Sequence, residues 1–136
     1  MSDVTTALET AIYNKLAGQA SLITALGETA IYNQQAPQSP GSKYVVFQWQ
    51  GGGDLNESPT RMRELLYTVQ GIATTRAAAG TIDGAIDDAL HKQALTVTGW
   101  SNILCQRQTD ISYIEQDAAG GSYYHRGGIY RIIIDS

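Results

Sequence analysis

Pro37, Pro40 and Gly41 stand immediately before Tyr44-Val45-Val46-Phe47-Gln48-Trp49, and this junction constrains the fold more than any other stretch of the chain. Pro37 and Pro40 lack backbone donors and bias the residue before each towards extended backbone, so no helix runs through them. Gly41 turns the chain at little steric cost. The β-branched and aromatic run that follows suits a half-buried strand, with Val45, Phe47 and Trp49 on one face and Tyr44, Val46 and Gln48 on the other. Ile31-Tyr32, upstream, predicts a brief edge strand. The chain therefore changes here from a helical N-terminus to a sheet.

On the N-terminal side, Val4, Leu8, Ile12 and Leu16 recur at helical spacing and predict a helix over 3–17, capped by Ser2 or Asp3 and ended by Gly18. Glu9 and Lys15 fall off its apolar stripe. Ser21 is expected to cap a short helical turn closed by Gly27. On the C-terminal side, residues 43–50 form the first long strand, and 51–60 read as loop because they hold three glycines and Pro59. Alternation resumes over 63–74, an antiparallel partner across a connection that is long for a hairpin. Thr74 or Thr75 starts a second helix over 75–93 with Ile82, Ile86, Ala89 and Leu90 inward; Gly80 and Gly84 suggest close packing on something. Strands over 102–116 and 122–135 follow, joined by a turn at 117–122. Ile129-Tyr130-Arg131-Ile132-Ile133-Ile134 is apolar on both faces and belongs inside the sheet or at a subunit contact. The order helix, two strands, helix, two strands predicts an α+β fold: one antiparallel sheet of at least four strands with helices packed on one face. At 136 residues the whole of 1–136 is expected to be one domain.

Composition excludes several function classes. A net charge of −4 argues against a dedicated nucleic-acid binder with a basic footprint. Cys105 is the only cysteine, so no intrachain disulfide forms, as a reducing cytoplasm favours. Neither a signal peptide nor a membrane span is read, and the sequon Asn56-Glu57-Ser58 is taken as chance. Charged residues make up 16% of the chain, against about 25% in ordinary proteins, while 13 Thr and 11 Gln supply polarity. Surfaces poor in Lys and Glu resemble protein interfaces and point to an assembly; a low-charge monomer has the same composition.

No motif carries chemistry. Gly51-Gly52-Gly53 leads into an Asp-containing loop rather than a helix, and Gly41-Ser42-Lys43 precedes a strand, so neither is a phosphate loop. Gly99-Trp100-Ser101-Asn102-Ile103 lacks the second glycine of a nucleophile elbow, with only His91 and His125 available as a base. Cys105 reads as a small core residue. Asp83, Asp87 and Asp88 could gather a cation on one helix flank, but a solvated helix face explains them more simply. Tyr123-Tyr124-His125-Arg126 could stack on a nucleobase, yet reads first as the start of a strand. The expectation is no enzyme, no metal and no cofactor.

The run Ile31-Tyr32, then Ala36-Pro37-Gln38, then Tyr44-Val45-Val46-Phe47, following a short helical N-terminus, resembles the tail-completion (tail-to-head joining, tail terminator) proteins of long-tailed bacteriophages. The resemblance extends through the middle helix, near Leu90-His91-Lys92, to the closing hairpin. It departs at the Gly-rich 51–60 stretch. It implies a structural virion protein of the tail or neck, without catalysis, that caps the head-proximal end of the tail tube. Such a protein acts as a homohexameric ring, contacts the tail-tube protein and the head-side connector, and lets DNA pass without specific binding. It would be in the host cytoplasm during assembly and in the virion afterwards, with no membrane contact. Two other readings stay open. One is a monomeric α+β domain binding a small ligand between helices and sheet; the other is a different virion protein, a head–tail stopper or a tail-tube protein.

The long Gly-rich connection is the expected contact surface, since loops of that length are usually functional or disordered. Gly52 and Gly53 supply hinge freedom there. Leu55, Pro59 and Met62 offer apolar contacts, and Arg61, with Arg63, stands near Asp54 and Glu57 as a salt-bridge partner.

Overall fold

A computed structural model describes residues 4–38, 41–55, 62–117 and 120–135. The expected α+β fold is found. Three helices, α1 (Val4–Ala17), α2 (Ala20–Leu26) and α3 (Arg76–Leu90), accompany five strands. The strands are β1 (Ile31–Asn33), β2 (Lys43–Asp54), β3 (Met62–Ala73), β4 (Ser101–Gln116) and β5 (Ser122–Asp135). They form one sheet in the order β1-β2-β3-β5-β4.

The sheet is mixed rather than wholly antiparallel. The edge strand at Ile31-Tyr32 exists, but it lies parallel to β2, with Ile31 opposite Val45 and Asn33 opposite Phe47. The proline-containing connector carries the chain back to where β1 began, and a return of that kind makes the pair parallel. The remaining pairs, β2–β3, β3–β5 and β4–β5, are antiparallel. The doubly apolar β5 lies inside the sheet, as its sequence requires.

Gly51–Gly53 are strand, not loop. They continue β2 opposite Leu66, Leu65 and Glu64, after a register shift between Trp49 and Gly51. Backbone pairing needs no side chain, so a glycine run can be drawn into a ladder by a partner as apolar as Leu65-Leu66. Gly52 has a φ of +115°, and a Cβ there would stand 2.1 Å from the Glu64 carbonyl oxygen, so only glycine fits. Trp49 stays on the core side, opposite Tyr67, but at the open end of the sheet. It is 39% exposed, and its indole N–H donates to the Gly51 carbonyl at 2.7 Å.

Helix boundaries follow local chemistry. Gly27 closes α2 in the left-handed conformation, its N–H donating to the Ile23 carbonyl. The residue before α2 is Gln19, not Ser21, which lies within the helix. Thr75 caps α3 by accepting the Ala78 N–H at 3.2 Å. That helix stops at Leu90 rather than near 93, because residues 91–95 turn to bond the edge of β4. The Lys92 N–H donates to the Cys105 carbonyl at 2.7 Å, and the Arg107 N–H to His91 Nδ1 at 3.1 Å. Residues 2 and 3, the expected cap of α1, lie outside the described residues.

The helices cover one face of the sheet. Leu8, Ile12 and Leu16 of α1, and Ile82, Ile86 and Leu90 of α3, are buried against Phe47, Tyr67, Val69 and Tyr130. Gly71 is where α3 approaches closest, since a Cβ there would lie 2.4 Å from Ile82 Cγ2. No heavy atom lies within 4 Å of a Cβ built on Gly80 or Gly84, so packing within the chain does not account for those two. Phe47 and Ile86 are 1% and 0% exposed. Phe47→Ala or Ile86→Ala is expected to cost about 2–5 kcal/mol in urea unfolding, the usual range for emptying a filled core site. A loss below about 1 kcal/mol at both would show that the core lies elsewhere.

Candidate interaction surface

On the helix-covered side of the sheet, Arg107 of β4 holds a polar cluster together. Its side chain is only 15% exposed and enters beneath α3. Nη1 and Nη2 donate to Asp83 Oδ1 and Oδ2 at 2.7 and 3.1 Å, Nη2 also to the Gly127 carbonyl at 2.6 Å, and Nε to Asp110 at 2.8 Å. Tyr130 Oη donates to Asp87 at 3.0 Å under the same guanidinium. Burial works against the Arg107 charge, but the bonds to Asp83 and Tyr130 outweigh it and hold its pKa above the ordinary value. Burial likewise pushes up the Tyr130 phenol, which Arg107 only partly offsets.

Two of the three helix carboxylates are therefore not a solvated face. Asp83 and Asp87 do gather a cation, and it is the guanidinium of Arg107. Among the described residues no cluster of three metal-ligating groups stands ready for an ion. Sequence reading missed Arg107 because its partners Asp83, Asp87, Gly127 and Tyr130 lie 20–24 residues away on other elements; the signal was a lone arginine on a strand otherwise free of basic residues. Cys105 is buried as expected, and burial pushes its thiol up to about 12.

On the face opposite the helices, His125 of β5 is 6% exposed. Its Nδ1 lies 2.8 Å from Gln70 Oε1 and its Nε2 3.2 Å from Glu115 Oε1. Tyr113 stacks on the imidazole at 4.2 Å and donates its hydroxyl to Gln70 at 3.2 Å. The connector after β1 makes the other wall, where Ala30, Tyr44 and Ile72 form a small second core. Between the two walls lies a shallow hollow of about 320 Å³, floored by Gln48, Thr68 and Gln70. Glu64 is ion-paired with Arg131 on the same face. Neutral amides and hydroxyls dominate the lining of the hollow, beside Glu115 and His125. The space between helices and sheet, where a small-ligand pocket was one expectation, is filled by the main core.

The residues expected to make contacts are only partly gathered. Gly52 and Gly53 lie in β2, and Met62 begins β3, half-buried. Leu55 is 38% exposed beyond them, its N–H donating to the Met62 carbonyl at 2.8 Å. Arg63 stands opposite Asp54 in the ladder. Pro59, Arg61 and Glu57 lie outside the described residues. No helix among the described residues is long and apolar enough to cross a membrane.

Helices over one side of a mixed sheet, with the other side bare, define an α+β protein whose distinctive features are surfaces. The chain belongs to the tail completion protein gp17 family, whose model matches residues 10–134. It is accordingly a structural tail protein of phage-like particles. The fold resembles that of a chain in the virion of a native gene transfer agent particle, 19% identical over 100% of both chains with a TM-score of 0.81. It also resembles the bacteriophage SPP1 gp17 protein, 19% identical, covering 97% of this chain and 90% of that one with a TM-score of 0.54. No curated protein matches the chain.

Proposed function

We propose that residues 1–136 act as one tail-completion domain, six copies of which form a ring that caps the head-proximal end of a tail tube and joins the tail to the head connector. The observation that carries this reading is the family match over residues 10–134. The work is steric and interfacial, without turnover: the ring ends tube growth and offers a surface to the head-side connector, and DNA passes through it. The chain's charge suits that passage. Six copies of a chain of net charge −4 make an acidic ring, and tight contacts with phosphate would need exposed Lys and Arg. The ring is built in the host cytoplasm and remains in the virion.

The test is a density map of the particle's neck. The expected result is six copies of this chain at the tail terminus, between tube and connector. Any other copy number there, or a position inside the tube, overturns the reading. A soluble monomer absent from purified particles would favour the small-ligand alternative.

A further inference from the structure

Both edges of the sheet are half covered and half free. On one side β1 pairs only with Val45–Phe47 of β2, so, among the described residues, 48–54 have no neighbouring strand on that side. Val45 and Phe47 bond outwards, to the Ala30 carbonyl and the Gln34 N–H, and Leu55 bonds inwards to Met62. Alternation along the ladder, reset by the register shift, then turns the groups of Trp49, Gly52 and Asp54 outwards. On the other side, residues 91–95 seal β4 as far as Arg107. A second register shift follows between Arg107 and Thr109. Beyond it the Asp117 N–H bonds the Gly121 carbonyl across the turn, so the groups of Asp110, Ser112, Ile114 and Gln116 face outwards.

Natural sheets guard such edges with lysine or proline. Residues 48–54 and 109–116 contain neither. Ile114 is 53% exposed on the second stretch. On the first, Gly52 is required by its φ, but a Cβ on Gly51 or Gly53 would meet nothing within 4 Å. Strand glycines mark a bulge or a place where another backbone comes close; the shift at Trp49–Gly51 accounts for the first, and Gly53 lies beyond it.

We propose that these two free half-edges bind each other between copies: residues 109–116 of one chain pair with 48–54 of the next, extending the sheet from subunit to subunit. This rests on the ring proposed above and says how its neighbours are held. The stretches are of similar length, seven and eight residues, and the glycines of one, lacking side chains, leave room for the exposed Ile114 of the other. Charge permits this occupant, since 48–53 carries none to set against Asp110 or Glu115. A head-to-tail contact between different patches is also what a ring needs.

Two variants test it, Ser112→Pro, which deletes an outward donor, and Ile114→Lys, which guards the edge. The expected result is a folded chain, by circular dichroism and thermal melting, that no longer forms a ring on tails. In wild type, hydrogen exchange at the Ser112 and Ile114 amides should be fast in the free chain and slowed in the ring. If Ser112→Pro fails to fold, Ile114→Lys and the exchange measurement decide. A wild-type ring whose Ser112 and Ile114 amides still exchange fast, or variants that form rings as wild type does, overturns the edge pairing and leaves the ring standing. No ring in wild-type tails defeats both.

Discussion

Arg107→Leu is expected to destabilise the chain by about 2–4 kcal/mol, less than the loss for a fully buried ion pair because Arg107 and Asp83 both keep some contact with solvent. The loss comes less from the missing arginine than from what it leaves behind. Asp83, with its side chain 20% exposed, would face no cation, and the Gly127 carbonyl would lose its donor. Asp83→Asn in the same background should recover part of the loss, since it removes the stranded charge. Denaturant unfolding of wild type, the single variant and the double variant measures both effects. A single-variant loss under about 1 kcal/mol would place Arg107 among surface ion pairs instead.

The second large effect is expected on assembly rather than on folding. Asp54 opposite Arg63, with the Leu55–Met62 bond beyond, closes the β2–β3 ladder. Residues 56–61 therefore connect two strands that a two-residue turn between Leu55 and Met62 could join. Replacing 56–61 with Asn-Gly should leave the melting temperature of the free chain nearly unchanged. Tails carrying the shortened chain should fail to join heads and infectivity should be lost, if this connection contacts the tube, the connector or a neighbouring copy. Normal infectivity with the short turn would show that Pro59 and Arg61 have no part in joining.

Much of the fold was legible because periodicity reports burial. The stripe of Val4, Leu8, Ile12 and Leu16, the stripe of Ile82, Ile86, Ala89 and Leu90, and the double-sided apolar run at 129–134 each had one physical solution. Pro37 and Gly41 stand in the irregular connector between β1 and β2, where the sequence allowed no helix. The Gly51–Gly53 stretch misled because propensity speaks of side chains, while the ladder with Leu65-Leu66 is made by backbone. The parallel setting of β1 was equally out of reach, since three residues cannot state which way they lie in a sheet. At the candidate surface, the segment near Gly52 and Gly53 was marked by composition. The set of Gln70, Tyr113, Glu115 and His125 was not, because its members come from three strands.

What the sequence determined by itself was therefore the kinds and order of the elements, the two helical faces that had to be buried, and the family. Each of these rests on residues close together along the chain. Only the tertiary structure decided the pairings between distant residues: Arg107 with Asp83, His125 with Gln70, and which halves of β2 and β4 remain without a neighbour. Such pairings depend on strand order and register, and a one-residue slip in either would have placed each of these side chains on the opposite face.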